Sequence, residues 1–133
     1  MSTRATLLFY ALVMAMPAHA SDAVVKSLQQ QYGSQGGTEF SAGNGEKIWQ
    51  QQVAAKNGEM RSCQSCHGKD ITQNGQHATT KKVIKPMAAS ANPKRYSDEK
   101  KVSKWMVRNC KWTFGRDCTP QEKGDLLEYL STH

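Results

Sequence analysis

Apolar residues recur at helical spacing in four stretches of the 133-residue chain, and no strand-rich run lies between them. Helices are predicted over residues 22–32, over 41–56, from 97 onward and from about 120 to 131. The side chains expected to face inward are Val24, Val25, Leu28, Tyr32, Ile48, Trp49, Val53, Val102, Trp105, Met106, Leu126, Leu127 and Leu130, with Tyr129 at the edge. Residues 68–80 are polar and turn-rich, and 81–96 read as a proline-broken loop. The pattern predicts an all-α fold.

Capping signals mark the starts of the last two predicted helices. Ser97 is the expected N-cap of the third helix, because an acidic pair, Asp98 and Glu99, follows it in the first turn. Thr119 with Glu122 forms a capping box around a first-position proline at the start of the fourth helix.

One polar residue interrupts the apolar stripe of the third helix. Asn109 lies seven residues after Val102 and three after Met106, where the helical spacing predicts a buried side chain. Burying an amide without a hydrogen-bonding partner is costly. This asparagine therefore requires a specific role.

The first twenty residues have the features of an export signal. Arg4 precedes a twelve-residue apolar run over 5–16, and Ala18-His19-Ala20 matches the small-x-small cleavage pattern. Twelve apolar residues are too few to span a bilayer, although an uncleaved anchor is the alternative. We expect residues 1–20 to be removed and residues 21–133 to form one domain, exported as a soluble protein to the periplasm.

The charge balance suggests an acidic partner. The chain has a formal charge of +7, which removal of Arg4 lowers to +6. Neither an RNA-binding motif nor a run of five basic residues is present, so nucleic acid is not the expected partner. The alternative is a merely solvated surface. The charges concentrate in the C-terminal half, in Lys81, Lys82, Lys85, Lys94, Arg95, Lys100, Lys101, Lys104, Arg108, Lys111 and Arg116.

The segment Cys63-Gln64-Ser65-Cys66-His67 is CxxCH, the attachment motif of c-type haem. Two thiols at this spacing can add to the two vinyl groups of a porphyrin, and the next imidazole is a normal proximal ligand of haem iron. A zinc site would need two more ligands at matching spacing, and a redox dithiol would be expected in a βαβ context. The single motif predicts one covalent haem, with His67 as proximal ligand.

The order of these segments resembles that of class I cytochromes c from about residue 38 onward. In that family the first and last helices cross at a glycine–aromatic contact, and the matching positions are Gly45, Trp49 and Tyr129. The resemblance implies a class I fold wrapped around the haem. This chain lacks the proline that usually follows CxxCH, so the resemblance does not identify the acceptor for the His67 ring N–H.

The segments KPM, NPKRY and RNCKWTFGRDCTPQEKGD are most similar to the sphaeroides haem protein group of oxygen-binding, monohaem cytochromes c. That resemblance implies Asn109 as the sixth iron ligand and a disulfide between Cys110 and Cys118. It also implies a dihaem cytochrome c and a membrane b-type cytochrome as electron donors. A role as terminal oxidase or reductase of a small oxygen or nitrogen species is left open.

Other residues compete with Asn109 for the sixth position. Met106 or Met87 would make the protein a plain electron-transfer cytochrome, because methionine holds both oxidation states of iron. His77 is a solvated loop histidine by default, and His133 is expected to be frayed at the chain end. An asparagine oxygen is instead a weak, neutral donor. It should release ferrous iron and open a position for oxygen, nitric oxide or carbon monoxide.

The mass of the exported protein tests the signal peptide and the covalent haem together. We expect intact-mass spectrometry to give the mass of residues 21–133 plus one haem. A haem-free mass, or a bound zinc ion, would contradict the attachment at Cys63 and Cys66.

Overall fold

The computed structural model describes residues 20–133, so the predicted signal peptide lies almost wholly outside the described residues. The helices are α1 Ala20–Ser34, α2 Ala42–Gln50, α3 Gln64–His67, α4 Glu99–Phe114 and α5 Pro120–Ser131. The strands are β1 Val53–Ala54, β2 Met60–Arg61, β3 Gly75–Gln76 and β4 Val83–Ile84. They form two antiparallel hairpins, β1–β2 and β3–β4. The fold is therefore helical, with two short hairpins that the all-α prediction did not contain.

Helix α5 lies at the centre of the core and packs against both α2 and α1, while α4 packs against α1. Its three leucines are buried as predicted, and Tyr129, expected at the edge, is buried with them. The apolar face of α1 also meets the prediction, with Val25, Leu28 and Tyr32 buried. Burial of these faces is the main contribution to the stability of the fold.

The crossing of α2 and α5 requires a glycine. A Cβ atom at Gly45 would lie 2.6 Å from the Cβ of Tyr129, closer than two such atoms approach. Beside this contact, the rings of Trp49 and Tyr129 lie 6.2 Å apart. The predicted glycine–aromatic contact is confirmed, and it fixes Trp49 beside the CxxCH segment.

The second helix is shorter than predicted. It ends at Gln50, the backbone of Gln51 is extended, and Val53 pairs with Arg61 across a hairpin. The turn of that hairpin contains Asn57 and Gly58, and Gly58 has a φ of +80°. Asn-Gly is a strong hairpin signal, and here it outweighs the helical spacing of Val53.

The starts of the last two helices test the capping predictions. Asp98, not Ser97, is the N-cap of α4, and its carboxylate accepts the N–H of Lys101 at 3.0 Å. The Ser97 hydroxyl instead donates to the Lys94 carbonyl. The capping box of Thr119 and Glu122 is confirmed. Among residues 20–133, none of the helices is both long enough and apolar enough to cross a membrane.

Candidate haem-attachment site

The CxxCH segment folds into a single helical turn. Cys63 is the N-cap of α3, and its carbonyl accepts the N–H of His67 at 3.1 Å. Cys63 and Cys66 are both partly buried and are not joined to each other. The turn therefore presents two free thiols and one imidazole along a short stretch of backbone, as a covalent haem requires.

The environment of Cys63 does not suit a redox dithiol. Burial raises the pKa of its thiol to about 12, while the nearby Thr113 hydroxyl acts in the opposite direction. Reactive thiols have lowered pKa values, because the thiolate is the nucleophile. In the described part of the chain, no group of three or more His, Cys, Asp or Glu side chains is placed to hold a metal ion. Neither the dithiol nor the zinc alternative gains support.

His67 has the surroundings of a neutral metal ligand. Burial and the nearby Arg95 cation lower the pKa of its imidazole to about 4, so the ring is uncharged at neutral pH. The Trp49 ring lies 5.3 Å from the His67 ring. The Nδ1 atom of His67 is buried and has no hydrogen-bonding partner among residues 20–133. A neutral imidazole next to two free thiols fits a haem at this position.

The loop after the attachment turn is held by hydrogen bonds to its backbone. Arg95 donates to the carbonyls of Pro86 at 2.6 Å and Lys85 at 2.5 Å. The Tyr96 hydroxyl donates to the Met87 carbonyl at 2.6 Å, and the Met87 N–H donates to the Ile71 carbonyl at 2.9 Å. The KPM segment is therefore anchored close to the attachment turn.

The last turns of α4 also lie next to the attachment turn. Thr113, whose hydroxyl lies near Cys63, is buried, and Asn109 precedes it by four residues. Residues four apart on a helix lie on the same face, so Asn109 is on the side of α4 that meets the attachment segment. Trp105 and Trp112 flank it and are 47% and 37% exposed, so the prediction that Trp105 faces inward is wrong. These exposed aromatic rings offer the apolar surface that a porphyrin would cover.

Cys110 and Cys118 form a disulfide, as the resemblance implied. Their Cα atoms are 5.5 Å apart, and both residues are buried. Cys110 follows Asn109 directly, so the disulfide ties the backbone next to that asparagine to the start of α5.

The other candidate sixth ligands make contacts of their own. Met87 and Met106 are partly buried and pack against the core. The Nδ1 atom of His77 accepts the N–H groups of Thr79 and Thr80, each at 3.2 Å. His133 is not frayed as predicted, because its ring donates to the Tyr129 carbonyl at 2.7 Å and its own carbonyl accepts the Ser90 N–H.

Arg61 was not predicted as part of the site. It lies on β2, two residues before Cys63, and donates to the carbonyl of Trp112 at 3.3 Å. Its guanidinium carbon is 4.5 Å from the centre of the Trp112 ring. The Asn57-Gly58 signal would have placed Arg61 on a hairpin, but its contact with α4 appears only in the fold.

Comparisons with known proteins identify relatives among the c-type cytochromes. The profile of a family described as Domain of unknown function (DUF1924) matches residues 35–130. Cytochrome c-type protein SHP of Cereibacter sphaeroides is 40% identical over 124 residues, which are 93% of this chain and 95% of SHP. Cytochrome c'' of Methylophilus methylotrophus is 32% identical over 89 residues, which are 67% of this chain and 62% of that protein.

Solved structures of the same two proteins share the fold. Oxidised SHP, described as an oxygen-binding cytochrome c, aligns with a TM-score of 0.74 at 39% identity, covering 82% of this chain and 96% of that one. The solution structure of cytochrome c'', which concerns the structural basis of haem-ligand detachment, gives a TM-score of 0.71 at 27% identity. That alignment covers 85% of this chain and 93% of the other.

Both relatives are c-type cytochromes, and this chain has one CxxCH motif on a turn that fits the group. The protein therefore carries one covalently bound haem c with its iron. The match over 35–130 and the full-length similarity to SHP lead to one conclusion: this chain belongs to the DUF1924 family and is a c-type cytochrome related to SHP.

Proposed function

We propose that this protein is a periplasmic cytochrome c whose ferrous iron binds a diatomic ligand, oxygen, nitric oxide or carbon monoxide, after Asn109 leaves it. Cys63 and Cys66 would hold the haem through thioether bonds, and His67 would be the proximal ligand. Residues 21–133 would form the mature domain with a class I arrangement. The haem supplies an iron that cycles between two oxidation states and binds small gases when reduced.

His67 would serve as a neutral imidazole ligand. Its lowered pKa keeps it unprotonated at neutral pH, and the adjacent Trp49 ring limits its rotation. The Trp49 indole N–H donates to the Gly68 carbonyl at 3.4 Å, which fixes the indole beside the turn. The close crossing of α2 and α5 at Gly45 also holds this tryptophan in place.

The observation that carries the proposal is the position of Asn109 on α4. It precedes by one turn the threonine that lies near Cys63, on a face that is only partly covered by protein. Its amide oxygen is a neutral, hard donor that should hold ferric iron and release ferrous iron. The displaced side chain retains an NH₂ group, which can donate a hydrogen bond to a bound ligand.

The packing of the two methionines supports asparagine over the plain electron-transfer alternative. Met106 and Met87 contact the hydrophobic core, which is the usual role of a methionine at such positions. The description of SHP as oxygen-binding and the study of haem-ligand detachment in cytochrome c'' are consistent with an exchangeable sixth ligand.

We also propose that acidic redox proteins, a dihaem cytochrome c and a membrane b-type cytochrome, supply the electron. Lys100, Lys101 and Lys104 are exposed along α4, the helix that carries Asn109. Complementary charge chiefly raises the rate of encounter between partners. An acidic donor would thus be guided to α4, the helix that carries Asn109.

Replacing Asn109 by methionine tests the ligand. The ferrous protein should bind carbon monoxide rapidly and reversibly, and Asn109→Met should slow association by about tenfold or more, because methionine also holds ferrous iron. Stopped-flow absorption after reduction measures this. Lys111→Met is the matched control, since it adds a methionine on a different face of α4 and should behave as wild type. A methionine–iron charge-transfer band in the unmodified ferric protein would contradict Asn109 as ligand.

Removing the disulfide tests how Asn109 is held near the iron. The double variant Cys110→Ser and Cys118→Ser should keep its haem, because neither cysteine belongs to CxxCH. It should lose roughly 2–3 kcal/mol of unfolding free energy, because the disulfide restricts the unfolded chain, and a short closed loop keeps this effect modest. Ligand exchange should be faster, since the backbone beside Asn109 is freed. If denaturant melts show the loss of stability while exchange rates stay unchanged, the disulfide is only a structural clip.

The salt dependence of the reduction rate tests the proposed acidic electron donor. Reduction by an acidic dihaem cytochrome c should slow by about tenfold as ionic strength rises from about 10 mM to about 300 mM. The triple variant Lys100→Gln, Lys101→Gln and Lys104→Gln should be slow at low salt and unchanged at high salt. A triple variant of exposed Lys26, Lys47 and Lys56 to Gln carries the same change in net charge. Equal slowing in both triple variants would indicate a general charge effect, not docking through α4.

A further inference from the structure

We propose that Arg61 is a positioning residue that holds the Asn109 turn of α4 against the haem-attachment segment and thereby sets how fast Asn109 leaves the iron. This inference rests on the proposed function, in which Asn109 is the sixth ligand. It concerns the contact between β2 and α4, which no motif in the sequence indicates.

The Arg61 guanidinium makes contacts on two sides. Toward α4, it donates from Nη1 to the Trp112 carbonyl at 3.3 Å and lies over the Trp112 ring at 4.5 Å. Toward its own hairpin, Nη2 and Nε both donate to Oε2 of Glu59, at 3.0 and 3.3 Å. The Arg61 side chain is mostly buried, whereas Glu59 is exposed. Glu59 thus orients a guanidinium that reaches across to the helix.

The Trp112 carbonyl needs an outside donor. It is one of the last four carbonyls of α4, which have no partner within the helix. Gly115 supplies the N–H for the Lys111 carbonyl at 3.1 Å, and Arg61 supplies one for Trp112. A cation at this position also interacts favourably with the negative end of the helix dipole.

The contact acts close to Asn109. Trp112 lies three residues after Asn109, and Thr113 lies four residues after it. Both therefore belong to the helical turn that follows Asn109. Arg61 precedes Cys63 by two residues on a strand that is paired with Val53. The Arg61–Trp112 and Cys63–Thr113 contacts therefore join the Asn109 end of α4 to the segment that carries the cysteines.

The rest of this junction is open. A cleft of about 600 Å³ lies between the β1–β2 hairpin and the C-terminal turn of α4, and Arg61, Trp112 and Thr113 line it. Since few other atoms fill this space, a guanidinium that bridges it has a large share in fixing the distance between hairpin and helix. Loss of the bridge should let the last turn of α4 move away from the attachment segment.

Ligand exchange on the ferric protein measures this directly. Imidazole can bind ferric iron only after Asn109 has left, so the observed rate at saturating imidazole equals the rate at which Asn109 leaves. Arg61→Gln should raise that limiting rate by about five- to tenfold, from loss of one hydrogen bond and one cation–π contact. Arg108→Gln is the matched control. It removes the same charge and a similar stacking contact, Arg108 over Trp105 at 4.8 Å, from the same helix.

The outcomes separate the inference from the proposed function. A faster limiting rate in Arg61→Gln, but not in Arg108→Gln, is the expected result. Equal limiting exchange rates in Arg61→Gln and wild type would overturn the role of Arg61. An altered ferric spectrum in Asn109→Ala would still confirm Asn109 as the ligand. An Asn109→Ala variant with an unchanged ferric spectrum would overturn both. If Arg61→Gln fails to mature, Arg61→Lys and Glu59→Gln weaken the same bridge, and wild-type exchange rates in both would equally contradict it.

Discussion

The position of Asn109 depends on the contact between the last turn of α4 and the segment that carries the cysteines. Two neighbouring residues of α4 lie at this contact: Thr113 is near Cys63, and the Trp112 carbonyl accepts a hydrogen bond from the Arg61 guanidinium. In the same part of α4, the disulfide joins Cys110 to the start of α5. In the proposed function, a ligand held in this way can be weak in itself, because the surrounding backbone would keep it near the iron.

The proximal side is built differently, from apolar packing. Trp49 lies between His67 and Tyr129, and its place is fixed by the glycine that lets α2 and α5 approach closely. A rigid proximal side and an adjustable side at α4 would let the iron exchange one ligand without disturbing the other. In the proposed function, Asn109 therefore leaves the iron on reduction, and a gas can bind at the position that it vacates.

The features that were predictable from sequence depend on local spacing. The apolar faces of α1 and α5, the capping box at Thr119 and the CxxCH motif each lie within a few neighbouring residues, and the structure contains them. The strands are only two residues long, too short to show alternation, and the early end of α2 depends on pairing between Val53 and Arg61. Asp98 replaces Ser97 as N-cap because both residues suit that position and spacing alone does not choose between them. The role of Asn109 came from family resemblance, and that of Arg61 from a tertiary contact.

The coordination number of the iron in each oxidation state tests the central claim most directly. Resonance Raman spectra of the ferric and ferrous protein, recorded without added ligand, report it through the haem marker bands. We expect six-coordinate ferric iron and five-coordinate ferrous iron, because Asn109 leaves on reduction. Six-coordinate iron in both states would show that the sixth ligand stays bound after reduction. That result would contradict the proposed release of Asn109.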